Sequence, residues 1–212
     1  MEITLLHHTP LSVCSLAIRT CWDSHAKSDN GGEADKALIY RVGNINKHKS
    51  TLEHLVYNFN IEGISRACLQ ELARHRMASL SVKSTRYTLK ELRKETSFLD
   101  SKDGLERASK YIVLTSNPDI DKASLNALEN IKKLLDASLP NDVVKYSLPE
   151  CYKTSLVWSI NARSLQNFLE LRSSKNALWE IRNLALSIFE ALPQDHKYLF
   201  VDYINTKSED SN

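Results

Sequence analysis

Tyr57, Phe59 and Ile61 alternate with Asn58 and Asn60, which is the two-residue period of a half-buried β-strand over residues 56–61. Gly63 is expected to break that strand. Immediately after it, Ile64, Ala67, Cys68 and Leu72 recur at helical spacing and predict an amphipathic helix over residues 64–75. Residues 3–6 form a short apolar run that fits a buried strand, and Thr9-Pro10 supplies an N-cap and a first-turn proline for a helix running towards Trp22. The polar stretch 23–33, with Gly31-Gly32, predicts a surface loop before a helical stretch that ends near Gly43. Residues 77–90 are dense in Ser and Thr, show no periodicity and read as a loop. Residues 105–114 and 125–135 carry helical patterns separated by Asn117-Pro118-Asp119, a spacing that suits antiparallel packing. Residues 152–160 are rich in β-branched and aromatic side chains and predict a second long strand, which Asn161 ends at the start of another helix. Leu178, Ile181, Ala185, Ile188 and Leu192 make a last helical stripe.

Composition narrows the class. With 42% hydrophobic and 25% charged residues, the 212-residue chain is ordinary for a globular protein, which excludes disorder, collagen and disulfide scaffolds. The few glycines and prolines leave room for long helices, and a single domain over residues 1–206 with a polar tail at 207–212 is expected. The net charge of +2 means that anion binding must arise from local clustering, so a general nucleic-acid coat protein is excluded. Cys14, Cys21, Cys68 and Cys151 form no C-x-x-C pair, so they read as reduced and mostly structural, with no metal site. No apolar run approaches the roughly 20 residues of a membrane span, and the N-terminus lacks a leader pattern. No membrane association and a cytoplasmic location are therefore expected.

Three segments concentrate chemistry. From Arg74 to Tyr87 the cations Arg74, Arg76, Lys83 and Arg86 are interleaved with hydroxyls, a combination that suits phosphate because guanidinium offers paired donors and Ser/Thr add short ones. From Asn161 to Arg172, Arg163 and Asn167 share one helix face, while Leu165, Leu169 and Arg172 stand at i, i+4 and i+7. Arg172 thus continues an apolar stripe, where a charge needs either a carboxylate partner or an anionic or polar ligand. The third segment, His48 to His54, lacks the H-E-x-x-H spacing of a metal site. Ser24 to Lys27 fits S-x-x-K only by chance, without its companion motifs.

Arg74-His75-Arg76 followed by seven residues and Ser84 resembles the signature of the flavin-dependent thymidylate synthases. His48, Ser50, Glu53 and His54 upstream, and the segment Asn161-Ala-Arg163-Ser-Leu to Arg172 downstream, resemble the same family in the same order. The resemblance implies an α/β fold of the α+β type, with a central, largely antiparallel sheet flanked by helices. It further implies a homotetramer with active sites between subunits. The implied reaction converts dUMP to dTMP, with methylenetetrahydrofolate as one-carbon donor and NADPH as reductant through FAD.

By the same resemblance, Ser50, Arg74, His75, Arg76, Asn161, Arg163 and Asn167 contact FAD, with His48 and Glu53 nearby. Glu71, Arg74, Val82, Lys83, Ser84, Thr85, Arg86, Lys145 and Arg172 hold dUMP, and Arg172 is the catalytic residue. Val82 stands where the family often has glutamate, Lys145 where arginine is usual, Asn176 where histidine is frequent and Glu71 where glutamine is common. These departures keep open a flavoprotein acting on another pyrimidine nucleotide. A small nucleic-acid-binding module built on the basic loop is the other alternative, although Tyr87 is the only aromatic residue beside it.

Overall fold

The computed structural model describes residues 1–99 and 102–205, so the tail expected at 207–212 lies outside the described residues. Strand β1 (Glu2–His8) leads into helices α1 (Leu11–Thr20) and α2 (Glu33–Tyr40), then strand β2 (Val56–Ser65) and helix α3 (Arg66–Ala73). Strand β3 (Ala78–Val82) precedes helices α4 (Thr85–Thr88), α5 (Gly104–Ala108), α6 (Pro118–Asp136) and α7 (Asn141–Val144). Strand β4 (Lys153–Asn161) and helices α8 (Ala162–Arg172) and α9 (Trp179–Ala191) complete the order. The four strands form one antiparallel sheet in the order β1-β2-β4-β3, the mixed helix-and-sheet class that was expected. Among the described residues no helix is long and apolar enough to cross a membrane.

The chain divides into two compact units. The first comprises residues 1–61, 71–80 and 157 onwards. Its interior is aromatic: Tyr57 and Phe59 are fully buried, and Trp158 packs edge-on against Phe168 with ring centroids 5.0 Å apart. Asp35, fully buried between α1 and α2, accepts from Ser15 Oγ, Arg19 Nε and Nη2, Ser28 Oγ and the Gly31 N–H. These bonds hold its carboxyl well below the usual carboxylate range against the opposing effect of burial, and they tie the polar 23–33 loop to α1. The second unit, residues 62–70 and 81–156, has its own core of Leu92, Phe98, Ile112, Leu128, Ile131 and Tyr152.

Several expectations are corrected. β1 is longer than residues 3–6 and is not buried throughout. It is an edge strand packed by α9, and Leu6 points away, 54% exposed. Thr9 is not the cap of α1. Its Oγ1 accepts from the Val56 N–H and its own N–H donates to the Val56 carbonyl, while Pro10 takes the cap position. Gly63 does not end β2: it takes a left-handed φ of 74°, open to a residue without Cβ, and the strand continues to Ser65. Ser65 Oγ then accepts from the Cys68 N–H, so α3 starts at Arg66 and not at residue 64.

The expected loop at 77–90 contains β3 and α4, because Ala78, Leu80 and Val82 alternate and β4 lies alongside as ladder partner. The helix expected over 105–114 stops at Ala108. Beyond it, Lys153 and Val113 N–H groups bond the Tyr111 and Cys151 carbonyls, and strand pairing replaces the helix. The 125–135 helix extends back to Pro118, where Asn117 Oδ1 accepts from the Asp119 and Ile120 N–H groups.

Candidate functional site

The first unit contains a cavity of about 850 Å³ built from two helix ends. At one, α3 ends at Ala73, and Arg74, His75 and Arg76 leave the helix with the His75 N–H bonded to the Leu72 carbonyl. At the other, α8 begins at Asn161, whose Oδ1 accepts from the Ser164 N–H at 2.9 Å. That cap sets the register that turns Arg163, Asn167 and Arg172 to the cavity.

Arg172 is only 16% exposed at its side chain and is fixed by three acceptors. Its Nη1 donates to Glu71 Oε2 at 2.7 Å, its Nη2 to the Glu71 carbonyl at 3.3 Å and its Nε to His75 Nε2 at 3.0 Å. The carboxylate partner expected of this arginine is Glu71, and the side chain also lines the cavity. Burial, reinforced by the charges of Arg172 and Arg74, pushes the His75 pKa down to about 4. The imidazole is therefore neutral near pH 7, and because Nε2 accepts from Arg172 its proton sits on Nδ1. Phe168 packs edge-on against the same ring at 5.0 Å.

Five cations, Lys49, Arg74, Arg76, Arg163 and Arg172, face this cavity. The single carboxylate on its wall, Glu53, pairs with Arg163 at 2.7 Å. Guanidinium forks beside the amides of Asn161 and Asn167 form a donor set that fits a diphosphate and the edge of a heterocycle. A volume of this size suits a cofactor-sized ligand. Among the described residues no group of three or more His, Cys, Asp or Glu could hold a metal ion.

Of the residues singled out for a flavin, Arg74, His75, Arg76, Asn161, Arg163 and Asn167 meet here, with Glu53. Ser50 and His48 instead line a second cavity of about 480 Å³, which shares Lys49 and Arg163 with the first. Sequence reasoning missed Lys49, Met77, Ser164 and Leu171 in the first cavity and Trp22 and Lys47 in the second. Lys49, Met77, Ser164 and Leu171 lie inside the three segments that concentrate chemistry, whereas Trp22 and Lys47 lie outside them.

The remaining substrate candidates belong to the second unit. Ser84 occupies the cap position of α4 and its carbonyl accepts from Thr88 Oγ1. The Lys83 N–H donates to the Ser155 carbonyl at 2.8 Å, and its Nζ lies 3.4 Å from Glu91. Asn141 Nδ2 donates to the Arg86 carbonyl at 2.9 Å, which ties α7, and Lys145 directly after it, to α4 and Thr85. Val82 is exposed at the end of β3.

Comparison with known proteins shows the family of the chain. A family model described as thymidylate synthase complementing protein matches residues 4–196. The flavin-dependent thymidylate synthase of Wolinella succinogenes is 64% identical over 201 residues, covering 94% of this chain and 97% of that protein. The enzyme of the same description from Campylobacter jejuni is 66% identical over 201 residues, covering 94% and 96%. A crystal structure of thymidylate synthase X from Helicobacter pylori with FAD and dUMP matches with a TM-score of 0.94 at 56% identity, covering 97% of this chain and 100% of that one.

Proposed function

The chain belongs to the flavin-dependent thymidylate synthases, and from that premise we propose that it converts dUMP to dTMP with FAD held in the larger cavity. Methylenetetrahydrofolate supplies the one-carbon unit and NADPH the hydride. The C5–H of the uracil is replaced by C5–CH₃: the two C–N bonds of the folate methylene bridge break as its carbon bonds to C5 and takes the hydride from NADPH, the C5 proton leaves to solvent, the two folate nitrogens each take up a proton, and tetrahydrofolate and NADP⁺ are released with one proton consumed overall. FAD, when bound, supplies hydride chemistry that no side chain can perform.

The protein contributes positioning and electrostatics. Arg74, Arg76 and Arg163 offer forked donors for the flavin diphosphate, with Asn161, Asn167, His75 and Ser50 as polar contacts. Membership of the family implies that Glu71, Arg74, Val82, Lys83, Ser84, Thr85, Arg86, Lys145 and Arg172 are the residues that bind dUMP. Lys145 makes a point-charge phosphate contact where arginine would make a forked one. Arg172 acts on the uracil. A guanidinium against the ring favours loss of the N3 proton and raises electron density at C5, and a charge already fixed in a low-dielectric wall needs no reorganisation. We place the enzyme in the cytoplasm as a homotetramer with active sites between subunits.

The observation that carries this reading is the Glu71–Arg172–His75 cluster in the wall of a cavity bearing five cations. The test is dTMP formation by purified protein supplied with dUMP, FAD, NADPH and methylenetetrahydrofolate. Omitting any one should stop it; dTMP formed at full rate by flavin-free protein would exclude the reading.

A further inference from the structure

Resting on the synthase reading, we propose that residues 201–205 are a strap that clamps the last turn of α8, and that Asn205 is a positioning residue acting through Arg172. Glu71 and His75 hold the guanidinium of Arg172, but its backbone belongs to the end of a helix, where carbonyls run out of helical partners. α8 ends at Arg172, with Ser173 at the cap in helical conformation and no glycine after it to turn the chain back. The Ser173 N–H closes on the Leu169 carbonyl. The next carbonyl, that of Glu170, takes its donor from 35 positions away, Asn205 Nδ2 at 2.6 Å. The Asn205 N–H in turn donates to Ser173 Oγ at 2.8 Å, and Ser173 is buried. One asparagine thus bonds the residues that flank Leu171 and Arg172.

The strap is itself anchored. The Leu199 carbonyl just before it accepts from Nε2 of the fully buried Gln166, in the middle of α8, at 2.9 Å and from Asn44 Nδ2 at 3.1 Å. The Tyr40 hydroxyl donates to Asp202 at 2.9 Å, and Lys49 lies over the Tyr203 ring at 4.7 Å. One stretch of chain therefore holds α8 at Gln166 and at its last turn, through residues that do not line the cavity. A last turn without these bonds frays, and Arg172 leaves the register in which Glu71 and His75 meet it. The opposite end of α8 has its own cap in Asn161, so Arg163 and Asn167 do not depend on Asn205.

A double-mutant cycle tests this. Asn205→Ala removes the side-chain donor, and Asn205→Asp keeps the shape but sets a carboxylate against a helix C-terminus. Both are measured on protein loaded with FAD, alone and combined with Arg172→Lys. Each variant alone should lower kcat for dTMP about tenfold, the loss of one hydrogen bond that holds a reacting group, with flavin content and KM for NADPH unchanged. In the Arg172→Lys background neither should cost more than about twofold, because the side chain through which Asn205 acts is already replaced. A contribution to stability alone would instead lower kcat equally in both backgrounds.

Equal losses with and without Arg172, or wild-type turnover in Asn205→Asp, overturn the proposal. Amide hydrogen exchange supplies a readout that needs no turnover: in Asn205→Ala it should quicken about tenfold at residues 171–173 and stay unchanged at the Asn161 end of α8. Unchanged exchange at residues 171–173 also overturns the proposal. Wild-type protein that forms no dTMP contradicts the synthase reading instead, and the exchange measurement still decides whether the strap holds α8.

Discussion

Arg172 lines the cavity with a guanidinium that three acceptors hold in place. A carboxylate, a carbonyl and a neutral imidazole take three of its N–H directions, and what remains turns to the cavity. Lysine could preserve the charge but not the fork, because its ammonium rotates on a flexible stem. Arg172→Lys is expected to fold and retain flavin while kcat for dTMP falls on the order of 10²–10³-fold, the cost of one preorganised donor in an active site; near-normal turnover would remove Arg172 from the reaction. This residue was legible in the sequence because a charge on the Leu165–Leu169 stripe must be answered by something. Its partner was not legible, since Glu71 lies 101 positions away and only the fold brings the two together.

At the level of elements, legibility follows the range of the forces involved. Asn161 was placed correctly at the start of α8, because a cap answers a donor three residues away in the chain, whereas Asn117, expected only within the break between two helices, caps α6 itself. The β2 and β4 strands showed through because one face of each is buried, which writes the period into the side chains. β3 was hidden by its hydroxyls, and residues 111–113 by an apolar pattern compatible with a helix. In both, a ladder partner distant in sequence decides the conformation, and local propensity gives way to it. In the second cavity His48 and Ser50 were visible in the sequence, but Trp22 and Lys47 were not: they are 25 positions apart and join only where the segments after α1 and α2 meet.

Across the whole molecule, two buried histidines link stability to pH. His75 and His196 are both pushed down to about 4, chiefly by burial; Arg172 and Arg74 add to it at His75 and Glu71 opposes, while at His196 Asp195 opposes and His8 and Lys36 add. His196 Nδ1 is 2.8 Å from the Tyr57 hydroxyl, which burial keeps protonated and which therefore donates. Unfolded imidazoles take up protons near pH 6.5 and these folded ones only near 4, so between those values the unfolded chain binds more protons. The stability they contribute is complete above pH 6.5, falls as pH drops to 4 and is flat below, with roughly 2–3 kcal/mol at stake for each. Denaturant midpoints measured from pH 7.5 to 4 should fall steadily below 6.5; a constant midpoint across that span would contradict the burial of these rings.

The central claim is that the arginine-lined cavity of the first unit is a flavin site working on dUMP, and the visible absorption spectrum tests it most directly. Protein given FAD and freed of excess should keep the flavin bands, and anaerobic NADPH should bleach them at a rate that changes when dUMP is present. Protein that retains no flavin after the same treatment would contradict it.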